Sequence, residues 1–274
     1  GNTEIIGGGS IDLAGVVSAS SGQLTVRAGY QLGGYYGNSG PSANGGNLTI
    51  SGTLAAQYGV WLAAEAGDSS GANGNILQSA GSISSAYGNI AIEGGGNVTL
   101  NGSTTAYGGS GSIRSGFADV TGTPYGGNIN LGGNLYFGSF VDLFAYSGGS
   151  GTAGNGHIVQ NGGSLASNGA IGLYADGNIG LQGRVETPGS LYIYAGLDNG
   201  FSSGYHYYQS AYGGDVGFGA GSVVYGSHVE IVANRGTTGD SLGNIRQEAG
   251  GLLHVTGVTS LYAYAAGNVD LLGA

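Results

Sequence analysis

The chain has 274 residues, which is enough for one large domain, but 64 of them are glycine and only 40% are hydrophobic, so a thick globular core is excluded. Fifteen acidic residues against five arginines give a formal net charge of -10, which argues against nucleic acids and anionic membranes as partners, because both require basic clusters. Cysteine is absent, so there is no disulfide framework.

A Gly-Asn pair followed by alternating apolar residues returns along the whole chain. Residues 1–15 (GNTEIIGGGSIDLAG) and 88–102 (GNIAIEGGGNVTLNG) show this most clearly, since their glycines and nearly all their aliphatic residues align at an offset of 87 positions. A period of roughly 20–50 residues is typical of stacked supersecondary units that cannot bury their apolar faces alone. The sequence therefore predicts a repeat protein.

Three kinds of unit follow one another in a fixed order. The first kind begins at Gly9, Gly96, Gly177 and Gly267, the second at Gly46, Gly127 and Gly214, and the third at Gly74, Gly156 and Gly243. The starts of the first kind lie 87, 81 and 90 residues apart. The chain is therefore interpreted as a single segment, 1–274, with super-repeats at 9–95, 96–176 and 177–266 and partial units at 1–8 and 267–274.

Within a unit the apolar residues recur at every second position, which predicts strands and no helices. In one unit, for example, Val60 and Leu62 alternate with the outward Trp61. Each unit is expected to form three short strands separated by glycine bends, where asparagine is tolerated for its backbone conformation. Successive units then pair as parallel strands about 4.8 Å apart. The predicted fold is all-β: a right-handed parallel β-helix, or β-solenoid, of about nine coils in three super-repeats of three coils.

Three glutamines interrupt the inward aliphatic positions of the third kind of unit. Gln78, Gln160 and Gln247 stand where other units place residues such as Ile50 and Leu131. A buried amide needs hydrogen-bond partners. Each glutamine is therefore predicted to face inward and to bond the backbone of a neighbouring coil at a corner.

Tyrosine is the strongest signal for a contact surface, with 19 copies against one tryptophan and six phenylalanines. One group lies in corner insertions at residues 30–44 and 197–212, and a second group points outward from strands. The candidate binding residues are Tyr35, Tyr36, Tyr205, Tyr207, Tyr208 and Tyr212 in the insertions, with Trp61, Phe144, Tyr192, Tyr194, Tyr262 and Tyr264 on the strands. They either bind a sugar, a partner or a second rod, or form cross-strand aromatic ladders that stiffen the fold.

Catalytic and metal-binding patterns are not found, and the chain is predicted to be neither an enzyme nor a cofactor-binding protein. Asp142 and Glu230 hold the same outward slot, but three coils separate them by ~14 Å, whereas paired glycosidase carboxylates lie roughly 5–9.5 Å apart. Acidic residues such as Asp176 are expected on a solvated outer face. The four histidines lack metal-ligand spacing. Asp68 and Asp240 lie in similar GDS loops, where a weak calcium contact is the alternative to a turn-forming aspartate.

Residues 46–67 (GNLTISGTLAAQYGVWLAAEAG) and 177–196 (GNIGLQGRVETPGSLYIYAG) resemble the G-x-I-x-L-x-G-x-L-x-A coils of filamentous haemagglutinin-like adhesins, the large exoproteins of bacterial two-partner secretion. The resemblance covers essentially the whole chain. It implies a right-handed β-helix shaft on the outside of a Gram-negative cell, acting in adhesion, biofilm cohesion or display of a tip domain. The expected partners are other copies of the chain, surface glycans or cell-surface receptors, without membrane insertion.

Several alternatives stay open at this point. Both ends of the sequence cut through the repeat without a cap, so we expect either a segment of a longer array or a subunit that stacks end to end into an extracellular fibre. The family's NPNG-like secretion signature is absent from the sequence, which leaves the export route open. A polysaccharide-degrading β-helix enzyme and an ice-binding solenoid are further alternatives. The latter requires flat ranks of Thr-x-Thr, whereas only isolated NLTI and NVTL strands occur.

Overall fold

The computed structural model describes residues 1–31, 40–41, 45–67, 74–116, 126–147, 156–198, 208–209, 213–236, 242–263 and 267–272. This part of the chain contains strands and no helices. Apart from two short antiparallel pairs and one isolated bridge, the strands pair in parallel and form three ladders. For the described residues, the predictions of an all-β fold, of parallel pairing and of no helices are confirmed.

The first ladder is a ten-stranded parallel sheet in which every strand has three residues. Its strands are Ile11–Leu13, Leu48–Ile50, Ile76–Gln78, Val98–Leu100, Ile129–Leu131, Ile158–Gln160, Ile179–Leu181, Val216–Phe218, Ile245–Gln247 and Val269–Leu271. Each strand pairs with the next in this order.

The second and third ladders belong to one seventeen-stranded sheet, because its two longest strands, Val223–Ala233 and Leu252–Ala263, run through both. The second ladder otherwise contains Val16–Ala19, Thr53–Ala56, Ser82–Ser85, Ser103–Ala106, Asn134–Phe137, Ser164–Ser167 and Arg184–Glu186. The third ladder contains Thr3–Gly7, Leu24–Ala28, Gly59–Ala64, Asn89–Gly94, Gly111–Ser115, Val141–Ala145, Ile171–Ala175 and Ser190–Ala195.

The chain visits the ladders in the order first, second, third, and then begins again. One passage through all three is termed a round. The two antiparallel pairs join Tyr30–Gln31 to Gly40–Pro41 and Leu197–Asp198 to Tyr208–Gln209, and both follow a strand of the third ladder. Insertions between rounds are therefore placed at the corner between the third and first ladders.

Alternating side chains from all three ladders meet in one hydrophobic core. In the strand Leu24–Ala28, for example, Leu24, Val26 and Ala28 are fully buried while Thr25 and Arg27 are partly exposed. Parallel in-register pairing places equivalent residues of successive rounds above one another, so buried aliphatic side chains stack on buried aliphatic side chains. Complete burial of a leucine or valine contributes about 1.5–3 kcal/mol each, which makes this alternation the main stabilising feature.

Candidate functional site

Outward-facing aromatic side chains line up on the third ladder. One register position in five successive strands holds four aromatic side chains and one valine, namely Phe144, Tyr174, Tyr194, Val232 and Tyr262. This set is termed the aromatic column. The rings of Phe144 and Tyr174 are stacked with their centroids 4.9 Å apart, and Tyr174 and Tyr194 meet edge to face at 5.6 Å. Such ring pairs contribute about 0.5–1.5 kcal/mol beyond their buried area, so they also join successive rounds.

Exposure differs along the aromatic column. Tyr262 is 43% exposed, whereas Tyr194 is only 5% exposed, although its neighbours Ile193 and Ala195 are the residues that face the core. The ring of Tyr192, at the next outward position of the same strand, lies 6.2 Å from that of Tyr194. Of the strand tyrosines predicted to make contacts, Tyr194 is thus covered, Tyr192 is half-buried and Tyr262 is open.

A glycine shapes the middle of the aromatic column. A Cβ atom at Gly172 would collide with the ring of Tyr174 and with the carboxylate of Asp142, and would lie 2.8 Å from the Tyr174 hydroxyl. Tyr174 therefore lies across its strand, in the space that a side chain at position 172 would fill. Burial raises the pKa of Asp142, and the charge of Arg114 opposes that rise.

An arginine continues the column toward earlier rounds. The Arg114 guanidinium lies 5.7 Å from the centre of the Phe144 ring, and its Nη1 is 3.8 Å from Glu93 Oε1. The other oxygen of Glu93 accepts a hydrogen bond of 3.0 Å from Trp61 Nε1. Trp61, which the sequence places among the contact residues, thus has its polar atom engaged within the fold.

A second arginine ties Trp61 to the beginning of an insertion. The Arg27 guanidinium lies 3.5 Å from the ring centre of Tyr30 and 4.9 Å from that of Trp61. Its Nη2 is also 3.4 Å from the carboxylate of Glu65, which is buried. Contacts of this kind are worth about 0.5–2 kcal/mol each, depending on burial, so the cluster serves to connect rounds.

The carboxylates of this face are widely spaced. Asp142, Gly172, Tyr192 and Glu230 follow one another at a single register position of the third ladder. Asp142 and Glu230 are therefore three strand spacings, or ~14 Å, apart, which exceeds the roughly 5–9.5 Å of cooperating glycosidase carboxylates. In the described part of the chain, no three His, Cys, Asp or Glu side chains come together as a possible metal site.

The first of the three glutamines is fully buried and bonds the next round. Gln78 Nε2 donates to the carbonyl of Ser103 at 3.0 Å, and its Oε1 accepts a hydrogen bond of 3.2 Å from the Thr104 hydroxyl. Thr104 is also fully buried, at a position where other rounds place leucine or isoleucine. The amide and the hydroxyl thus form a matched polar pair inside an aliphatic core.

The other two glutamines are buried as well but differ in their partners. Gln160 Nε2 donates to the carbonyl of Arg184, in the next round, at 3.1 Å. Gln247 Nε2 donates to Gly251, only four residues along the chain, at 2.8 Å. The sequence predicted a bond to a neighbouring round in every case. For Gln247 the bend after its own strand supplies the acceptor instead.

A continuous hydrogen-bonded ladder of polar side chains runs along the corner before the first ladder. Its members, the second residues of the Gly-Asn marks and their equivalents, are Ser10, Asn47, Asn75, Asn97, Asn128, His157, Asn178, Asp215, Asn244 and Asn268. At each step the backbone N–H of one member donates to the side chain of the member before it, over 2.6–3.0 Å. This set is termed the polar ladder.

Backbone tolerance was the role predicted for these asparagines, and the polar ladder gives them a different one. The side-chain oxygen of every asparagine in the ladder except the last, Asn268, accepts a main-chain N–H of the next round that no strand partner reaches. Glycines that precede these asparagines also lie close to a neighbouring round. A Cβ atom at Gly127, for example, would collide with the carbonyl oxygen of Gly96. The Gly-Asn mark is thus a contact between rounds as well as a bend.

One member of the polar ladder is an imidazole. His157 Nδ1 accepts a hydrogen bond from the backbone N–H of Asn178 at 2.8 Å. The backbone N–H of His157 in turn donates to Asn128 Oδ1 at 2.9 Å. Nδ1 accepts only when it carries no proton, so this arrangement requires the neutral ring with its hydrogen on Nε2. Burial lowers the pKa of His157 accordingly.

The expectation of a solvated acidic face is wrong for Asp176. Its side chain is only 5% exposed, and Oδ2 accepts hydrogen bonds from the backbone N–H and the hydroxyl of Ser147, at 2.8 and 3.1 Å. Glu65, paired with Arg27, is similarly buried. Spacing along the sequence cannot distinguish such carboxylates from solvated ones, because their partners come from neighbouring rounds.

Four exposed aromatic residues were not predicted from the sequence. Tyr58, Tyr87, Tyr107 and Phe140 are all exposed, and each lies between a strand of the second ladder and the following strand of the third. Three of them share a local signal, a tyrosine followed directly by glycine at the end of a strand. They belong to connections and not to the alternating pattern, so a search for outward strand positions passes over them.

Several candidate residues lie outside the described residues. These are Tyr35, Tyr36, Tyr205, Tyr207, Tyr212 and Tyr264 among the contact residues, and Asp68 and Asp240 in the GDS loops. Tyr208 is described only through its backbone, which pairs with Asp198. The insertions at 30–44 and 197–212 are thus tested only where each begins as an antiparallel pair.

Comparison with known proteins gives no relatives: no family model, no curated protein and no solved structure matches the chain. The described residues include no helix long and apolar enough to cross a membrane.

Proposed function

We propose that the three ladders are the walls of a right-handed parallel β-helix, and that the chain is a non-enzymatic adhesive rod outside a Gram-negative cell. The repeated order of the ladders supports this wrapping, since a chain that returns to each ladder once per round turns about one axis. Parallel crossovers are almost always right-handed. The ten strands of the first ladder span nine spacings, or about 43 Å.

The accessible end of the aromatic column, Tyr262 with the nearby Tyr192, is the observation that carries the adhesive role. Tyr262 is 43% exposed on the outside of the third ladder, and the half-buried Tyr192 lies at the neighbouring outward position two rounds earlier. Aromatic side chains that combine an apolar ring with a polar tip are favoured in contact surfaces. The wide spacing of Asp142 and Glu230 favours a surface that binds over one that cleaves.

Adhesion can be tested with beads coated with the purified chain. The coated beads are allowed to settle on bacterial biofilm and on epithelial cells, and the attached beads are counted after washing. The double variant Tyr192→Ser/Tyr262→Ser removes the accessible part of the aromatic face, and Asn130→Ser on the outside of the first ladder is the matched control. We expect the double variant to lose most of the attachment and the control to keep it. Equal attachment of coated and uncoated beads would refute the adhesive role.

Self-assembly into a fibre is the second candidate function. The strand Leu252–Ala263 has a strand partner on one side only among the described residues, and Leu252 and Val258 within it are exposed. Open parallel edges of this kind pair readily with another chain. Electron microscopy and sedimentation of the wild type and of Val258→Lys test this candidate. Filaments or oligomers that the variant lacks would support it, and a wild type that stays monomeric at high concentration would exclude it.

A further inference from the structure

Four exposed aromatic side chains lie at the corner between the second and third ladders, one in each of four successive rounds. Tyr58, Tyr87, Tyr107 and Phe140 belong to four successive rounds and are 52%, 68%, 67% and 48% exposed. This set is termed the corner ridge. The rings of Tyr58 and Tyr87 lie 6.3 Å apart. Three round spacings separate the ends of the ridge, so it extends over ~14 Å.

Hydrogen bonds between rounds fix the backbone of the corner ridge. The amide of Tyr87 donates to the carbonyl of Gln57 at 2.9 Å, and the amide of Tyr107 donates to that of Ser85 at 3.0 Å. The rings are therefore presented by a backbone that is already ordered. Binding to such a surface requires little further ordering, which is an entropic advantage for a shallow site.

Exposure separates the corner ridge from the aromatic column. Single exposed aromatic residues are normal on protein surfaces, but a row over four rounds is not. In the aromatic column, Phe144 and Tyr174 stack face to face and Tyr194 is covered, which is the arrangement expected of rings that stiffen a fold. The rings of the corner ridge stay open to solvent, as a contact surface requires.

The chain segments that form the corner ridge contain no charged residue, and the nearest outward charge along the chain is Asp142, two residues after Phe140. Residues 51–59, 79–89, 101–111 and 132–140 contain no Asp, Glu, Lys, Arg or His, in a chain whose net charge is -10. In the two middle rounds the adjoining outward positions of the second ladder are the hydroxyl side chains Ser82, Ser84, Ser103 and Thr105. The outer two rounds place Thr53 with Ala55, and Asn134 with Tyr136, at these positions. The surface thus combines aromatic rings with uncharged hydrogen-bonding groups.

This combination matches the chemistry of a neutral sugar chain. The C–H faces of pyranose rings pack on aromatic rings, and sugar hydroxyls exchange hydrogen bonds with serine and threonine hydroxyls. An acidic polysaccharide or a nucleic acid would need basic side chains, which the ridge lacks, and the negative net charge would repel both. A lipid surface would favour further apolar residues between the rings, where this ridge has mostly hydroxyls.

We propose that the corner ridge binds a neutral polysaccharide, with successive sugar rings contacting Tyr58, Tyr87, Tyr107 and Phe140. The length of the ridge fits an oligosaccharide segment better than a monosaccharide. The site is separate from the aromatic column. It rests on the proposed adhesive function only for the source of the polysaccharide, which would be a cell surface or a biofilm matrix.

The test uses the purified chain and defined sugars. Cellohexaose, xylohexaose, mannohexaose and laminarihexaose are titrated by isothermal calorimetry and by NMR of the tyrosine ring protons, with polygalacturonate as the acidic comparison. The triple variant Tyr58→Ser/Tyr87→Ser/Tyr107→Ser removes the stacking rings, and the corresponding triple Tyr→Phe variant keeps them. Leu77→Ser is the matched control, because it removes an exposed apolar side chain from the first ladder, away from the corner ridge. Circular dichroism checks that every variant is folded.

We expect at least one neutral hexasaccharide to bind, with little dependence on salt. Affinity should fall about tenfold or more in the triple serine variant, and should stay close to wild type in the triple phenylalanine variant and in Leu77→Ser. The proposal is overturned if none of the neutral sugars binds, if the triple serine variant binds as well as the wild type, or if only polygalacturonate binds. Dimerisation that the triple serine variant abolishes, without sugar binding, would assign the ridge to a second copy of the chain and would also overturn it.

The bead assay of the proposed function is run in parallel, so that the two failures are distinguishable. Attachment that persists without sugar binding would remove only the corner-ridge proposal. Sugar binding by a chain that does not attach to cells or biofilm would remove the adhesive function and leave the site in place.

Discussion

Acidification should weaken the fold at one step of the polar ladder. Protonation of His157 puts a hydrogen on Nδ1, so the backbone N–H of Asn178, now 2.8 Å away, loses its acceptor and faces a second donor. A lost hydrogen bond costs about 0.5–1.5 kcal/mol, and a buried donor left unsatisfied costs about 1–3 kcal/mol. His157 is only half-buried, so water compensates in part, and we expect the free energy of unfolding to fall by about 1 kcal/mol.

The direction of the pH effect follows from the lowered pKa of His157 in the folded chain. As the pH falls, the unfolded chain, with a histidine pKa near 6.5, takes up the proton before the folded chain does. The free energy of unfolding contributed by this residue is therefore fully present above about pH 6.5 and is lost as the pH falls below it. Urea denaturation, followed by tyrosine fluorescence at several pH values from 7.5 to 5, measures the loss.

The variant His157→Asn isolates this residue from the other histidines, because it restores the ladder's usual side chain and cannot titrate. We expect the variant and the wild type to be equally stable at pH 7.5, and the variant to be more stable by about 1 kcal/mol at pH 5. His157→Ala is the control, since it removes the acceptor and should be weaker at both pH values. Parallel pH dependence in the wild type and in His157→Asn would refute the reasoning.

Three further perturbations test other parts of the structure. Asp142→Asn should raise the free energy of unfolding at pH 7 by up to about 1 kcal/mol and leave it unchanged near pH 3, because the raised pKa of Asp142 in the folded chain means that stability is lost as the pH rises. Equal effects at both pH values would contradict this. Gln78→Leu should cost about 1–3 kcal/mol by stranding the Thr104 hydroxyl, and Gln78→Leu/Thr104→Val should recover much of that loss in urea denaturation; additive losses would show that the pair is not coupled. Gly127→Ala should lower the melting temperature by several degrees because its Cβ atom meets a carbonyl of the preceding round, whereas Gly180→Ala, whose Cβ atom meets nothing within 4 Å, should leave the melting temperature unchanged. Similar shifts in the two variants would argue against close packing at the corner.

The fold was predictable from the sequence to the level of parallel strands, because one period determines both the burial and the pairing. Val60 and Leu62 lie at inward positions, and the equivalent positions of other units also hold apolar residues. A common register between the units is the arrangement that buries all these apolar residues at once. The inward position of Gln78 follows from the same alignment, since it pairs with Ile50. Its particular partner, Thr104, does not follow, because that contact depends on how far one round is displaced over the next.

Features that depend on contacts between rounds were missed or misjudged for the same reason. Propensity alone explains Asn178 as a residue tolerated in a bend, and nothing local shows that its side chain accepts a hydrogen bond from the next round. Alternation shows that Tyr194 faces outward, but not that neighbouring rings cover it. Asp176 resembles any other acidic residue until Ser147 is found beside it.

The polar ladder, the aromatic column and the corner ridge use their side chains in different ways, and the difference bears on function. Groups of the polar ladder satisfy one another, and much of the aromatic column is stacked or covered, so both are occupied in holding rounds together. Tyr87, at 68% exposed, has the same chemical side chain as Tyr194, at 5%, but only the former offers its ring to solvent. In a repeated fold, the contacts that join one round to the next recur along the chain. Such contacts do not account for aromatic rings that stay exposed in several consecutive rounds, so stability does not explain why they are there. By that criterion the corner ridge, exposed in four consecutive rounds, is a surface open to a partner.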